Sequence, residues 1–223
     1  KNGTFMVVCD GLGGISGGAE ASRFTAKKIA SLLLEMPANT NVLSYIENVI
    51  KTTAEQFKSE NIPGRTTLIV AVVHEQFLYY AYIGDGALNV LYPNGQVLHL
   101  LAPQRPASAP DNYLDSTFGS EINGEPVLGS LRLSDGCAVF AMTDGASDLT
   151  DGIFPAKLIG KFRVEQTSLE RMAKDFVMDL VNAKDDSGEH LHSDNVSVAF
   201  IISTSLTMMK NLEAAYEAYY QTE

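Results

Sequence analysis

The stretch Thr4-Phe5-Met6-Val7-Val8-Cys9-Asp10-Gly11-Leu12-Gly13-Gly14-Ile15-Ser16-Gly17-Gly18 holds the decisive signal. Its first six residues carry no charge and are short enough for a buried strand. Asp10 then opens a loop too rich in glycine to be helical. A helix is predicted from Ala19 to about Glu35: Ala26, Ile29, Ala30 and Leu33 share one face, and Pro37 ends it. A second helix is predicted from about Asn41 to Glu60, with Val42, Tyr45, Ile46, Val49, Ile50 and Phe57 at its apolar positions. Strand, glycine loop and helix in this order also raise a dinucleotide-binding reading. The Gly-x-Gly-x-x-Gly fingerprint started at Gly11 fails at Ser16, and Glu35, at about the position of the expected ribose-binding acid, ends a helix rather than a strand. Asp10 at the loop mouth would also repel a pyrophosphate.

Further along, residues 66–73 and 77–83 are β-branched and aromatic runs joined by a polar turn at Glu75-Gln76. Residues 88–92 and 97–101 flank Pro93-Asn94-Gly95-Gln96, whose Asn-Gly marks a hairpin. Residues 102–134, rich in Pro, Ser, Gly and Asn, are expected to be a long functional loop, such as a flap. Another apolar run, 137–142, leads into Thr143-Asp144-Gly145. Helices are predicted near 155–162 and 168–182, then a polar loop at 184–193 and a strand at 196–203. In residues 207–220 Met208, Leu212, Tyr216 and Tyr219 line one helical face, which reads as packing on its own domain. This order predicts antiparallel sheets with helical layers, in one domain over residues 1–223.

Sixteen basic against 27 acidic residues give a formal net charge of −11, which excludes nucleic acid and anionic membranes as partners. No stretch reaches the roughly 18 uninterrupted apolar residues of a membrane span, and no signal segment is legible at the start. Two cysteines build no disulfide framework; each sits in a predicted buried strand and reads as a small hydrophobe. The expectation is a cytoplasmic monomer. Lys1 rather than Met at the first position reads as a natural start that is missing or was removed.

Four aspartates share one context. Asp10, Asp85 and Asp144 each follow an apolar strand and precede a glycine, and Asp194 opens the last strand. Asp-Gly is a common turn dipeptide, so each alone reads as a turn. As a set they place carboxylates at the ends of uncharged runs, where desolvation is costly unless something compensates it. If the strands belong to facing sheets, the carboxylates converge and repel, unless divalent cations lie between them. An all-oxygen donor set suits Mg²⁺ or Mn²⁺ rather than Zn²⁺. Two such ions about 3.5–4 Å apart hold a hydroxide for in-line attack on phosphorus.

The string from Val7 to Gly14, followed by Gly17-Gly18 and Ala21-Ser22, resembles the first metal motif of the metal-dependent type 2C serine/threonine protein phosphatases. Thr66-Thr67-Leu68 with Ile83-Gly84-Asp85 is similar to the family's central hairpin. Ala141-Met142-Thr143-Asp144-Gly145 resembles its Ser-Asp-Gly motif, and Ser193-Asp194-Asn195-Val196-Ser197-Val198 its closing Asp-Asn motif. The resemblance implies an α+β fold, a four-layer α-β-β-α sandwich of two antiparallel sheets flanked by helices. It implies that Asp10 bridges two cations, that the Gly11 carbonyl binds one, and that Asp144 and Asp194 complete the second. Asp85, with Asp144, would match a third, weaker metal position. The implied reaction is hydrolysis of phosphoserine or phosphothreonine in a phosphoprotein, a signalling activity, by hydroxide bridging two Mn²⁺ or Mg²⁺ ions. Residues 102–134 would be the family's flap. Two bound dications would move the charge from −11 to about −7.

Departures from the pattern bear on activity. The family's upstream motif, with its phosphate-binding arginine, has no counterpart in the nine residues before Asp10. Leu12 and Ile15 stand where a histidine is usual, so a proton donor must come from elsewhere; His190 and His192 are candidates, against a reading as solvated loop residues. Gly86-Ala87 replaces Ser-Arg after Asp85. Arg65 reads as a loop arginine rather than a phosphate ligand. These departures leave a rival expectation, a phosphatase-like domain kept for binding or regulation.

Overall fold

In a computed structural model the described residues are 3–14, 16–94, 96–105, 114–149, 169–185, 187–191 and 194–202. Among them, in chain order, are β1 (Thr4–Val8), α1 (Gly18–Leu34), α2 (Val42–Ser59), β2 (Leu68–His74), β3 (Phe77–Ile83), β4 (Ala87–Leu91), β5 (Val97–His99), β6 (Val127–Arg132), β7 (Ala138–Met142), α3 (Asp144–Ser147), α4 (Leu169–Asn182) and β8 (Val198–Ile202). The helix predicted near 155–162 and the amphipathic segment 207–220 lie outside the described residues, as does His192.

Two four-stranded antiparallel sheets form, in the orders β1-β2-β3-β6 and β5-β4-β7-β8. Side-chain alternation explains why the central strands read as unbroken apolar runs. Along β2, Leu68, Val70 and Val72 face α1 and α2, packing with Ile29, Leu33, Ile46, Val49, Ile50 and Phe57. Its other face, Ile69 and Ala71, meets Leu88, Val90, Val139 and Ala141 of the second sheet. The far face of β7, Ala138, Phe140 and Met142, packs on Phe176 and Leu180 of α4. Helices, sheet, sheet and helix make the four layers that the resemblance implies. Gly17, at φ 92°, caps α1 where the glycine loop turns into the helix, which begins at Gly18, one residue before the predicted start. The β2–β3 hairpin closes through Glu75 at φ 55°, and His74 pairs with Phe77.

One expectation needs correcting. Residues 102–134 are not loop throughout, because β6 lies inside them and pairs with β3 from Tyr82↔Val127 to Phe77↔Arg132. Its sequence, Val-Leu-Gly-Ser-Leu-Arg, is only partly buried. No local apolar alternation announces it; it forms because the free edge of β3 supplies a row of hydrogen-bonding partners. Phe118, in the same stretch, is fully buried and stacks edge-on against Phe57 at 6.1 Å. Part of the supposed flap is therefore a strand of the sheet, and Phe118 packs between that sheet and α2.

Candidate metal centre

Asp10 leaves the end of β1 and is held there by two threonines. Thr67 N–H and Thr66 Oγ1 both donate to the Asp10 carbonyl, at 2.8 and 2.7 Å, and Thr67 Oγ1 accepts from the Asp10 N–H at 3.0 Å. The Gly11–Thr66 bridge is completed by Leu12 N–H donating to the Arg65 carbonyl at 2.9 Å, so the bridge's own bonds spare the Gly11 carbonyl. The close approach of this loop to α1 requires glycine at position 11. A Cβ there would overlap the backbone of Gly18, where the loop closes on α1.

Asp144 leaves β7 and opens α3, with one carboxylate oxygen accepting from the Gly145 N–H at 2.8 Å. Thr143 stitches this segment to the one that carries Asp194. Its Oγ1 donates to the Asn195 carbonyl at 3.2 Å and accepts from Ser197 N–H at 3.1 Å. Close packing needs Gly145, since a Cβ there would lie 2.5 Å from the Asn195 carbonyl oxygen. Antiparallel pairing of β7 with β8, Met142 opposite Val198, brings the two strand ends together.

The structure thus gathers the carboxylates at one end of the sandwich. Burial first, then the negative charges of Asp144 and Asp194, push the Asp10 carboxyl up to about 7, with Asp85 adding less. Among the described residues, no three His, Cys, Asp or Glu side chains close on a single ion. That pattern fits cations such as Mg²⁺, which keep several waters and bind through one or two carboxylates each. It does not fit an all-protein cage. The unrelieved repulsion at Asp10 is the observation that favours a cation in this place.

A pH prediction follows. Asp10 in the unfolded chain titrates near 3.9, while in the fold its carboxyl is raised to about 7. Its raised value stabilises the metal-free fold fully below the unfolded pKa, and that contribution is lost as pH rises through about 7. Melting curves of chelator-treated protein between pH 4 and 8 should show Tm held down toward neutral pH by this group. Saturating Mn²⁺ should remove that contribution by keeping Asp10 ionised, so the Mn²⁺-induced rise in Tm should grow with pH and level off above 7.

Asp85, at the turn after β3, carries a partner that sequence reasoning missed. Arg105 donates to Asp85 Oδ2 from Nη2 at 2.7 Å and from Nε at 3.1 Å, and the same Nη2 lies 3.7 Å from Asp144 Oδ2. Burial pushes the Asp85 carboxyl up, and the Arg105 hydrogen bonds pull against it. The only signal in the sequence was a lone arginine in a proline-rich stretch. Arg65 is accounted for as a brace: it donates to Thr117 Oγ1, the Thr117 carbonyl and the Glu121 carbonyl at 2.5, 3.0 and 2.8 Å. His190 Nδ1 lies 3.0 Å from the Val181 carbonyl at the end of α4. Burial, with the Asp10 charge beside it, pushes the Cys9 thiol up, which leaves it protonated and unsuited to nucleophilic attack.

Comparison with known proteins gives a consistent picture. A family model described as Protein phosphatase 2C matches residues 1–192. The structure is similar to that of the serine/threonine phosphatase Stp1 of Staphylococcus aureus, with TM-score 0.70 and 19% identity, covering 90% of this chain and 84% of that one. It is equally similar to the serine/threonine phosphatase PstP/Ppp of Mycobacterium tuberculosis, with TM-score 0.70 and 16% identity over 90% and 88%. At such identities the likeness shows the fold. A rice (Oryza sativa subsp. japonica) chain with the provisional name protein phosphatase 2C 23 is 31% identical over 137 residues, 60% of this chain and 41% of that one. A Mycoplasma genitalium chain provisionally named a protein phosphatase is 28% identical over 142 residues, 55% and 54% of the two. The chain spans about half the length of these curated relatives. No helix among the described residues is long and apolar enough to cross a membrane.

Proposed function

Because this chain belongs to the protein phosphatase 2C family, we propose that it hydrolyses phosphoserine or phosphothreonine in proteins with the help of two Mn²⁺ or Mg²⁺ ions. The observation that carries this reading is the convergence of Asp144 and Asp194 on Asp10, whose carboxyl is raised to about 7 by burial and then by their charges. Asp10 would hold both ions, the Gly11 carbonyl one of them, and Asp144 with Asp194 the other. When bound, such ions lower the pKa of water and neutralise charge on phosphoryl oxygens.

The chain's own residues do the rest. Thr66 and Thr67 fix the Asp10 backbone, so the carboxylate is projected from a fixed point at the end of β1. Thr143 holds the Asp194 segment against Asp144 by its two hydrogen bonds. The carboxylates stay partly open to solvent, with 26% of the Asp144 side chain exposed, which leaves room for water and for a phosphorylated side chain. A phosphoprotein is the proposed partner, met by a monomer in the cytoplasm.

The test is release of phosphate from a phosphoserine peptide by chelator-stripped protein, with and without added Mn²⁺. Turnover only with Mn²⁺ supports the proposal. The second reading, a binding or regulatory domain that keeps the fold, is favoured by Arg105 on Asp85, and would show as Mn²⁺ binding without turnover.

A further inference from the structure

We propose that Arg105 is a built-in cation of this centre. Its guanidinium fills the gap between Asp85 and Asp144 that a divalent ion would otherwise occupy, and so confines metal binding to the side formed by Asp10, Asp144 and Asp194. The inference rests on the reading of those three aspartates as metal ligands.

The contacts place the charge. Both bonds to Asp85 fall on Oδ2, at 2.7 and 3.1 Å, and the nitrogen making the shorter one also reaches within 3.7 Å of Asp144 Oδ2. One edge of a planar guanidinium therefore spans two carboxylates. The side chain of Asp85 is only 6% exposed, and keeping a carboxylate charged at that depth is costly without a positive partner. Arginine supplies a charge that no accessible pH removes. A dication seated on the same Oδ2 atoms would stand against that charge, and the guanidinium would have to leave first.

Leaving is made hard by the residue before it. Gln104 N–H donates to the Gly84 carbonyl at 2.8 Å, and its Oε1 accepts from the Gly84 N–H at 2.7 Å, so both polar groups of Gly84 are taken by one residue. Its Nε2 donates to the Glu125 carbonyl at 3.1 Å, and its own carbonyl accepts from Asp115 N–H at 3.0 Å. Gly84 is itself fixed. It sits at φ 114°, and a Cβ there would come within 2.7 Å of the Thr67 side chain. Since Thr67 also anchors Asp10, the arginine and the first aspartate are referred to the same short turn. Gln104 thus acts as a positioning residue that delivers Arg105 to Asp85.

The number of Mn²⁺ ions bound per chain tests this directly. Chelator-stripped wild type, Arg105→Ala, Arg105→Gln, Asp85→Asn and the Asp85→Asn/Arg105→Ala pair would be titrated with Mn²⁺, the free ion being read by its electron paramagnetic resonance signal. Arg105→Ala should bind one Mn²⁺ more per chain than wild type, and the double variant should lose that extra ion. Arg105→Gln, which can still donate a hydrogen bond to Asp85, should give the same gain if the alanine variant folds poorly. Asp85→Asn alone should leave the wild-type number unchanged. Equal numbers in wild type and both Arg105 variants would overturn the proposal, whatever that number is. So would loss of an ion in Asp85→Asn, since it would mean that wild type already seats a metal there. A wild-type count of zero bears separately on the hydrolase reading, whereas the difference between proteins decides the place of Arg105.

Discussion

Asp10→Asn is expected to reduce Mn²⁺-dependent phosphate release on the order of 10³-fold, equivalent to about 4 kcal/mol of transition-state stabilisation. The reason is its position at the end of β1, where it is coupled to Asp144 and Asp194 and its carboxylate would serve both ions. The substitution is close to isosteric, and its expected effect on stability has the opposite sign. In the metal-free protein Asp10 is repelled by its neighbours and desolvated, so removing its charge relieves strain that the fold otherwise bears. Metal-free Asp10→Asn should melt higher than metal-free wild type at pH 8, where Asp10 is ionised. Added Mn²⁺ should raise Tm in wild type and much less in the variant. A residue that costs stability when empty and is needed for turnover is a functional residue in the thermodynamic sense. Activity within tenfold of wild type, or a lower metal-free Tm, would contradict this role. Both quantities come from the same preparation, by phosphate assay and calorimetry.

Gly11→Ala is the second large effect expected, although it changes no charge. Its Cβ would overlap the Gly18 carbonyl group and lie 3.0 Å from Ala19 N, all of them backbone atoms at the start of α1. Backbone gives way less readily than a side-chain tip, so the loop must move. Overpacking of this kind costs about 1–3 kcal/mol, and a chain of this size loses about 2–4 °C in Tm for each kcal/mol. The functional loss should be comparable in free energy to the loss of stability, tenfold in affinity being about 1.4 kcal/mol. The Gly11 carbonyl is a proposed ligand, and the shift would carry it and the neighbouring Asp10 carboxylate out of place. Weakening of Mn²⁺ affinity by about 10–100-fold is the expected scale for disturbing the support of a metal ligand. Gly13→Ala is the control, since a Cβ at Gly13 meets nothing within 4 Å. It should leave Mn²⁺ affinity and turnover near wild type. If both alanines behave alike, the close approach of Gly11 to Gly18 is not what holds the site.

Much of the fold is legible in the chain because its central strands are buried on both faces. Residues 68–72 and 138–142 are uncharged for that reason, and the carboxylate following β7 stands out against an apolar background. Asp10, Asp144 and Asp194 are legible in the same way, each at the boundary of such a run. Three further features are not local. β6 exists because β3 has an edge to fill, and a partly polar six-residue segment shows no pattern of its own. Phe118 is buried by α2 and the first sheet from a stretch that reads as loop. Arg105 meets Asp85 across twenty residues, next to a glutamine whose hydrogen bonds reach Gly84, Asp115 and Glu125, positions well separated in the chain. Threonines 66, 67 and 143 were visible as parts of motifs, but their role as hydroxyl braces depends on strand pairing that brings distant backbones within 3 Å or so.

The most direct measurement follows phosphate release from a phosphoserine peptide while Mn²⁺ is returned to chelator-stripped protein, with bound Mn²⁺ counted in the same samples. Release should be absent in the stripped protein and should rise in step with the ions bound near Asp10, vanishing again in Asp10→Asn. Release that ignores Mn²⁺, or full occupancy by Mn²⁺ without any release, would contradict a metal-dependent phosphoserine hydrolase.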